Sequence, residues 1–303
     1  RDGSYNDYQL FILMLNPTFL DHNINNVTVT MTNEGRIGYL DMTSPYGDGF
    51  VYGRLNELFE GGLLIGNSPT KIVDNIRNLT SQDADFFSNQ VYNMLTPGIH
   101  ADQEGATVFT DAGAPGTNVI GLQVNQHSYA FTSILDSDYV IVQYDVKKTS
   151  PGTLLNVFVG IFMDWDMMPS YATNRCGYDT SRSLGYAWDT TASIPNPLYC
   201  GISALDGASG FRGLEASTAD FSRSGKFAWL SGGIVTPDQR GDIHMAVSSG
   251  PYTIDIGQTR VVAFALLGGK NLAQLQAHAD AAKAKWTSLK PLVSVSEDHS
   301  SIP

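Results

Sequence analysis

The most chemically pointed stretch of the sequence is Gly160-Ile161-Phe162-Met163-Asp164-Trp165-Asp166. An apolar strand here ends in two carboxylates, and residues two apart on a strand share a face. Asn174, Asp179 and Asp189 follow within a short span. Calcium takes six to eight oxygen ligands from carboxylates, amides and carbonyls. Asp164, Asp166, Asn174 and Asp179 could supply several of these, so a calcium site is expected there. It is not an EF-hand, because the D-x-D-x-D-G loop and its closing Glu are missing. The bland reading of the same residues is that they cap turns and accept from backbone N–H groups.

Cys176 and Cys200 lie on either side of the Asp179–Asp189 stretch. They have neither CxxC spacing nor a four-ligand zinc pattern. In an oxidising compartment a disulfide between them would close a loop of about 25 residues, worth on the order of 3 kcal/mol, and would brace the ion site. Two separately buried thiols are the alternative. Established catalytic signatures are missing: there is no HExxH, P-loop, GxGxxG before a helix, or GxSxG elbow. His22, His100, His127, His244, His278 and His299 are scattered, with no ligand pair at helical spacing. Trp165, Trp188, Tyr171 and Tyr178 could stack on sugars, and serve equally well as core residues.

Strands must position these groups. Val27–Thr32 alternates strictly, Tyr139–Val146 and Leu154–Trp165 pair around Ser150-Pro151-Gly152, and Tyr252–Asp255 with Thr259–Leu267 forms a further hairpin. Shorter strands are expected at Gly62–Gly66, Lys71–Ile76, Ala106–Thr110, Val119–Val124 and Tyr199–Leu205. One long helix is expected from Asn271 to Leu289, with Asn271 as N-cap and Pro291 as stop, and a short one within Asp220–Leu230. The expected fold is all-β and mostly antiparallel: a single large β-sandwich over residues 17–303 with a C-terminal surface helix at about 271–289.

Composition narrows the partners. The 303 residues are 42% hydrophobic and only 16% charged, with 30 acidic against 18 basic side chains and a net charge of −12. No basic footprint exists for nucleic acid, and disorder is excluded by the apolar content. Membrane insertion is not expected, since the run Leu10–Leu15 is too short to span a bilayer as a helix. Residues 1–16 instead suggest a separate apolar strand. Tyr8, Leu10, Phe11, Ile12, Leu13, Met14 and Leu15 are interrupted only by Gln9, as in a strand buried on both faces. It could belong to its own sheet, or be donated to a neighbouring subunit by β-strand addition, which propagates head to tail into a filament.

Phe158–Asp166, then Gly177-Tyr178-Asp179 and Leu184–Asp189, resemble a β-rich module of secreted bacterial proteins. That module often lies downstream of a subtilisin-like peptidase domain and upstream of a type IX secretion sorting domain. Asn33–Gly38, Leu58–Gly66 and the stretch from Gly250-Pro251-Tyr252 through Ala263–Leu266 fit the same likeness, which spans roughly Asn23 to Lys290. Peptidase motifs are absent, and Ser300–Pro303 reads as a junction where a sorting domain has been removed. The resemblance implies a secreted or cell-surface product. The leading expectation is therefore a non-enzymatic structural protein, a subunit that self-assembles into a surface filament, tube or layer. The alternative is a carbohydrate- or surface-binding module cleaved from a secreted peptidase or glycan-active enzyme, with surface glycans as partners. A hydrolase using Asp164 or Asp166 is a third reading.

Overall fold

A computed structural model describes residues 18–40, 46–53, 55–191, 197–236 and 240–293. The expected assembly strand at Tyr8–Leu15 and the expected junction at Ser300–Pro303 lie outside these residues.

The chain is allotted to two sheets in blocks. β1 (Phe19–His22), β2 (Val27–Thr32), β3 (Arg36–Ile37), β4 (Phe50–Tyr52), β5 (Leu55–Asn56), β6 (Leu58–Ser68) and β7 (Lys71–Asp74) enter the first sheet. β8 (Asn93–Leu95), β9 (Gln103–Thr110), β10 (Leu122–Ala130) and β11 (Tyr139–Lys148) enter the second. β12 (Leu154–Trp165) returns to the first sheet, and β13 (Asn174–Asp179), β14 (Leu184–Asp189) and β15 (Tyr199–Ala204) cross back. β16 (Gly210–Glu215), the helix α1 (Arg223–Ser231), β17 (Ile234–Val235) and β18 (Ile243–Ile254) follow on the first sheet. β19 (Thr259–Gly269) then lies at the centre of the second, and α2 (Leu272–Val293) ends the described chain. Every ladder is antiparallel except β16–β17.

Alternation along the strands explains the layers. Inward residues such as Val29, Ile161, Met163 and Val247 of the first sheet meet Val124, Val142 and Phe264 of the second in one shared core. On the outer face of the second sheet, Leu275, Ala279, Ala282, Trp286 and Leu289 of α2 cover Ile141, Ala265 and Leu267. On the outer face of the first sheet, Trp229 and Leu230 of α1 pack over Leu64, Phe162 and Ala246. The architecture is the expected β-sandwich with a C-terminal surface helix. Asn271 caps α2 by accepting from the Gln274 N–H at 2.9 Å. Pro291 does not stop that helix; it sits in the last turn, where its missing N–H costs a single bond near a fraying end.

Both cysteines are free and buried. Cys176 and Cys200 each stand opposite Ala187, on the two neighbours of β14. Two strand spacings amount to roughly 9–10 Å, beyond the ~7 Å Cα separation a disulfide tolerates. The expected disulfide is therefore not formed. Burial pushes the Cys176 thiol up to about 12.

Candidate functional site

Three adjacent strands of the first sheet place Glu60 (β6), Asp164 (β12) and His244 (β18) abreast. They lie on the face that carries Phe162 and α1. All three are buried, at 5%, 3% and 1% exposure. Arg77, just beyond β7, closes the row: its backbone N–H and Nε donate to Glu60 at 2.8 and 2.6 Å, and its Nη2 donates to Asp164 Oδ2. Its guanidinium lies 5.2 Å from the Phe59 ring centre and 5.1 Å from that of Phe221. This aromatic sandwich suits a planar, weakly hydrated cation.

On the other side, His244 Nε2 stands 3.1 Å from Asp164 Oδ1 and 3.7 Å from Asp242 Oδ1. Phe162 and Phe221 meet its ring edge to face at 5.7 and 5.6 Å. Burial raises the Glu60 carboxyl above its ordinary range, against the pull of Arg77. Asp242 is raised by burial and then by the Asp164 charge. Asp166 is pushed up to about 6, first by burial and then by Asp164 and Asp242.

The four expected calcium ligands do not converge. The β12–β6 register shifts between Asp164 and Trp165 and the strand ends there, so Asp166 leaves the pleat that was expected to align it with Asp164. Asn174 opens β13 and is fully used as a loop staple. Its amide donates to Met167 O (2.9 Å), Ser170 O (2.8 Å) and Asp189 (3.1 Å), and accepts from the Met167 N–H at 2.8 Å. Asp179 closes β13, about 16 Å away along the strand. It accepts from Ser181, Arg182 and Gln276 and so ties the β13–β14 turn to α2. The turn-cap reading holds for both.

Sequence reasoning missed Glu60, Arg77, Asp242 and His244, which come from segments up to about 180 residues apart. The one local signal was Asp242-Ile243-His244, a carboxylate and an imidazole two apart at a strand start. A second acidic group, Asp74, Asp83 and Asp85, is neutralised from α1. Lys226 Nζ reaches Asp74 at 2.6 Å and Asp83 at 2.8 Å, and Arg223 pairs with Asp85 at 2.7 Å.

The expected sugar-facing aromatics divide. Trp165 is a core residue, edge to face with Phe50, and Tyr178 stacks on Phe211 at 5.0 Å. Trp188 belongs to a half-buried patch on the outer face of the second sheet, beside α2. Its ring centre lies 5.6 Å from both Tyr186 and Tyr199, with planes 30° and 16° apart. Tyr186 and Tyr199 are 6.2 Å apart, so the rings form a near-equilateral group and not a column. Gly177, opposite Tyr186 on β13, makes room for this: a Cβ there would stand 2.6 Å from the tyrosine ring. Arg175 is exposed opposite Trp188. Apart from these rings, a pocket of about 260 Å³ is lined by Asn26, Tyr52, Gly53, Asp138, Leu198 and Lys270. Within it Tyr52 and Asn26 donate to Asp138 at 2.7 and 3.1 Å.

No family model and no curated protein matches the sequence. The fold does have solved counterparts. A bacterial glucoamylase complexed with acarbose matches with a TM-score of 0.53 at 11% identity, over 91% of this chain and 36% of that one. This chain thus spans about a third of the glucoamylase. A protein from Escherichia coli K12 assigned as an aldose 1-epimerase matches with a TM-score of 0.50 at 10% identity, over 83% of this chain and 99% of the other. These likenesses correct the filament reading. The sandwich expected to build a self-assembling surface layer through donated strands is the fold of proteins named for carbohydrate chemistry, and the non-enzymatic expectation has no support from them.

Proposed function

We propose that this chain is a carbohydrate-binding β-sandwich of the kind associated with glycan-active enzymes, and that it holds sugars on the Tyr186–Trp188–Tyr199 surface. The observation that carries this reading is the contiguous, half-buried aromatic group on the outer face of the second sheet. A pyranose lays its CH face on an aromatic ring and turns its hydroxyls outward to amide, carboxylate and ammonium groups. The exposed guanidinium of Arg175, opposite Trp188, is a charged group of this sort. Apolar surface with a few polar groups placed around it is the usual composition of a small-molecule site. The Glu60–Asp164–His244 row is a poor rival for the sugar itself, because its members are nearly fully buried and Arg77 fills the space between two of them.

The other tryptophans, Trp165, Trp229 and Trp286, are 0%, 3% and 1% exposed. Trp188 is therefore the fluorophore open to solvent. Glycan-array screening followed by fluorescence titration with a bound oligosaccharide is expected to change the Trp188 signal and shield it from iodide. Trp188→Ala should weaken binding at least tenfold, about 1.4 kcal/mol. A wholly negative array, or affinity indifferent to the substitution, would overturn the proposal.

A catalytic reading is favoured by one observation. Asp166 is half-buried with its carboxyl near 6, in the range of a general acid at neutral pH. Hydrolysis of a glycoside, or anomerisation of a free aldose, that Asp166→Asn abolishes would support it; activity unchanged by that substitution would discard it.

A further inference from the structure

We infer that Asp164, Asp242 and His244 form a binding site for a first-row divalent transition metal of the zinc type. The site is separate from the aromatic surface and does not depend on the carbohydrate reading. Each residue offers one donor atom, and the three atoms lie within 4.8 Å of one another. Zinc bound at ~2.0–2.1 Å in a tetrahedron sets its ligand atoms roughly 3.3 Å apart. The imidazole-to-carboxylate distances of 3.1 and 3.7 Å bracket that value.

Proximity of acids would not suffice; the histidine is the second observation. His244 is 1% exposed, yet neither ring nitrogen has a hydrogen-bond partner. Asp164 Oδ1 and Asp242 Oδ1 are likewise buried and unpaired. Buried polar atoms without partners are rare and costly. Nε2 lies close to Asp164 Oδ1, but its axis does not run along that line. A single cation between the three atoms satisfies all of them.

The surroundings fit such an ion. Arg77 occupies only Oδ2 of Asp164, leaving Oδ1 toward the site and fixing the carboxylate, as outer-shell partners of ligands commonly do. Glu60, Asp164 and Asp242 outnumber the single guanidinium, so the niche carries surplus negative charge. Asp242 is 36% exposed, which gives the ion an entry path and leaves a fourth position for water. The nitrogen donor and small ligand count favour zinc or cobalt over calcium, which needs six to eight oxygens. The other acidic group, Asp74, Asp83 and Asp85, already has Lys226 and Arg223 as counter-ions and serves as an internal control.

The test is titration of the metal-stripped full chain with Co²⁺, followed by visible absorption and by competition with Zn²⁺ and Ca²⁺. One Co²⁺ per chain is expected, with the intense d–d bands of a four-coordinate site, displaced by Zn²⁺ and untouched by Ca²⁺. Asp242→Asn should fold, since the side chain is partly exposed, and should weaken uptake at least tenfold. His244→Asn should abolish the bands, Asp83→Asn should leave them, and Trp188→Ala should not alter them. Absence of stoichiometric uptake, displacement by Ca²⁺, or uptake as tight in Asp242→Asn as in the wild type would overturn the assignment.

Discussion

Two buried residues with no part in ligand binding set opposing pH responses. His22 is wedged between Gln103 and Ser128, at 2.9 and 2.6 Å, and burial lowers its pKa from 6.5 to about 4. The folded chain keeps it neutral, so its contribution is present above pH 6.5 and is lost as pH falls toward 4. Glu57, bonded by the Met168 N–H at 2.8 Å, is raised by burial from 4.5 to about 7. Its contribution is present below pH 4.5 and is lost as pH rises through 7. Each amounts to on the order of 1–3 kcal/mol, and over pH 4.5–6.5 they offset one another. Urea denaturation across that window should show wild-type stability nearly flat from these two groups. Glu57→Gln, which keeps an acceptor for Met168, should unmask an acid-side loss of about 1–3 kcal/mol. Parallel profiles for variant and wild type would refute the assignment. Neither response was legible in the sequence, because both arise from depth in the sandwich and not from residue type.

At the scale of elements, the long strands and α2 were legible because their periodicity is strong. β2, β11, β12 and β19 begin where alternation begins. β13 and β14 were not read as strands: Asn174-Arg175-Cys176-Gly177-Tyr178-Asp179 carries turn-forming residues throughout, and pairing across β14 overrides local preference. The calcium expectation needs Asn174 and Asp179 to turn toward one ion, whereas the β13–β14 ladder holds them at its two ends. Of that proposed ligand set only Asp164 keeps a place in a metal site, and its partners come from β18 and the residue two before His244. The helix α1 owes its seat to charge as much as to apolar packing. Lys226 is wholly buried, with Asp74 as its partner, and the two carboxylates hold the ammonium protonated against burial. Removing one member of such a pair strands the other in a dry site, at about 3–5 kcal/mol. Lys226→Met is therefore expected to lose about that much in chemical denaturation, and adding Asp74→Leu to recover more than half. Additive losses would show that the pair is not coupled.

For the whole molecule, the fold class followed from spacing and composition, whereas the function did not. An acidic, lightly charged, strand-rich chain with few motifs fits a filament subunit and a sugar-handling sandwich equally well. The scarcity of charge has a local counterpart: part of the charge is drawn inward, into the Glu60–Arg77–Asp164 row and the Lys226 network. The block-wise traffic between sheets carries a further consequence, for the order of events during synthesis. β6 must wait for β12, about 90 residues later, and β11 must wait for β19, about 110 residues later. At ~5–20 residues per second on the ribosome, β6 stays without that neighbour for on the order of 5–20 s, its unpaired edge rich in leucine and glycine. A fragment ending at residue 150 should accordingly show no protection by hydrogen exchange of the β6 amides that face β12, whatever β3 and β7 protect on the other edge, and protection on the β12 side would disprove the dependence. The β8–β11 meander can zip up as it emerges, whereas each sheet stays open at its middle until a strand made much later slots in.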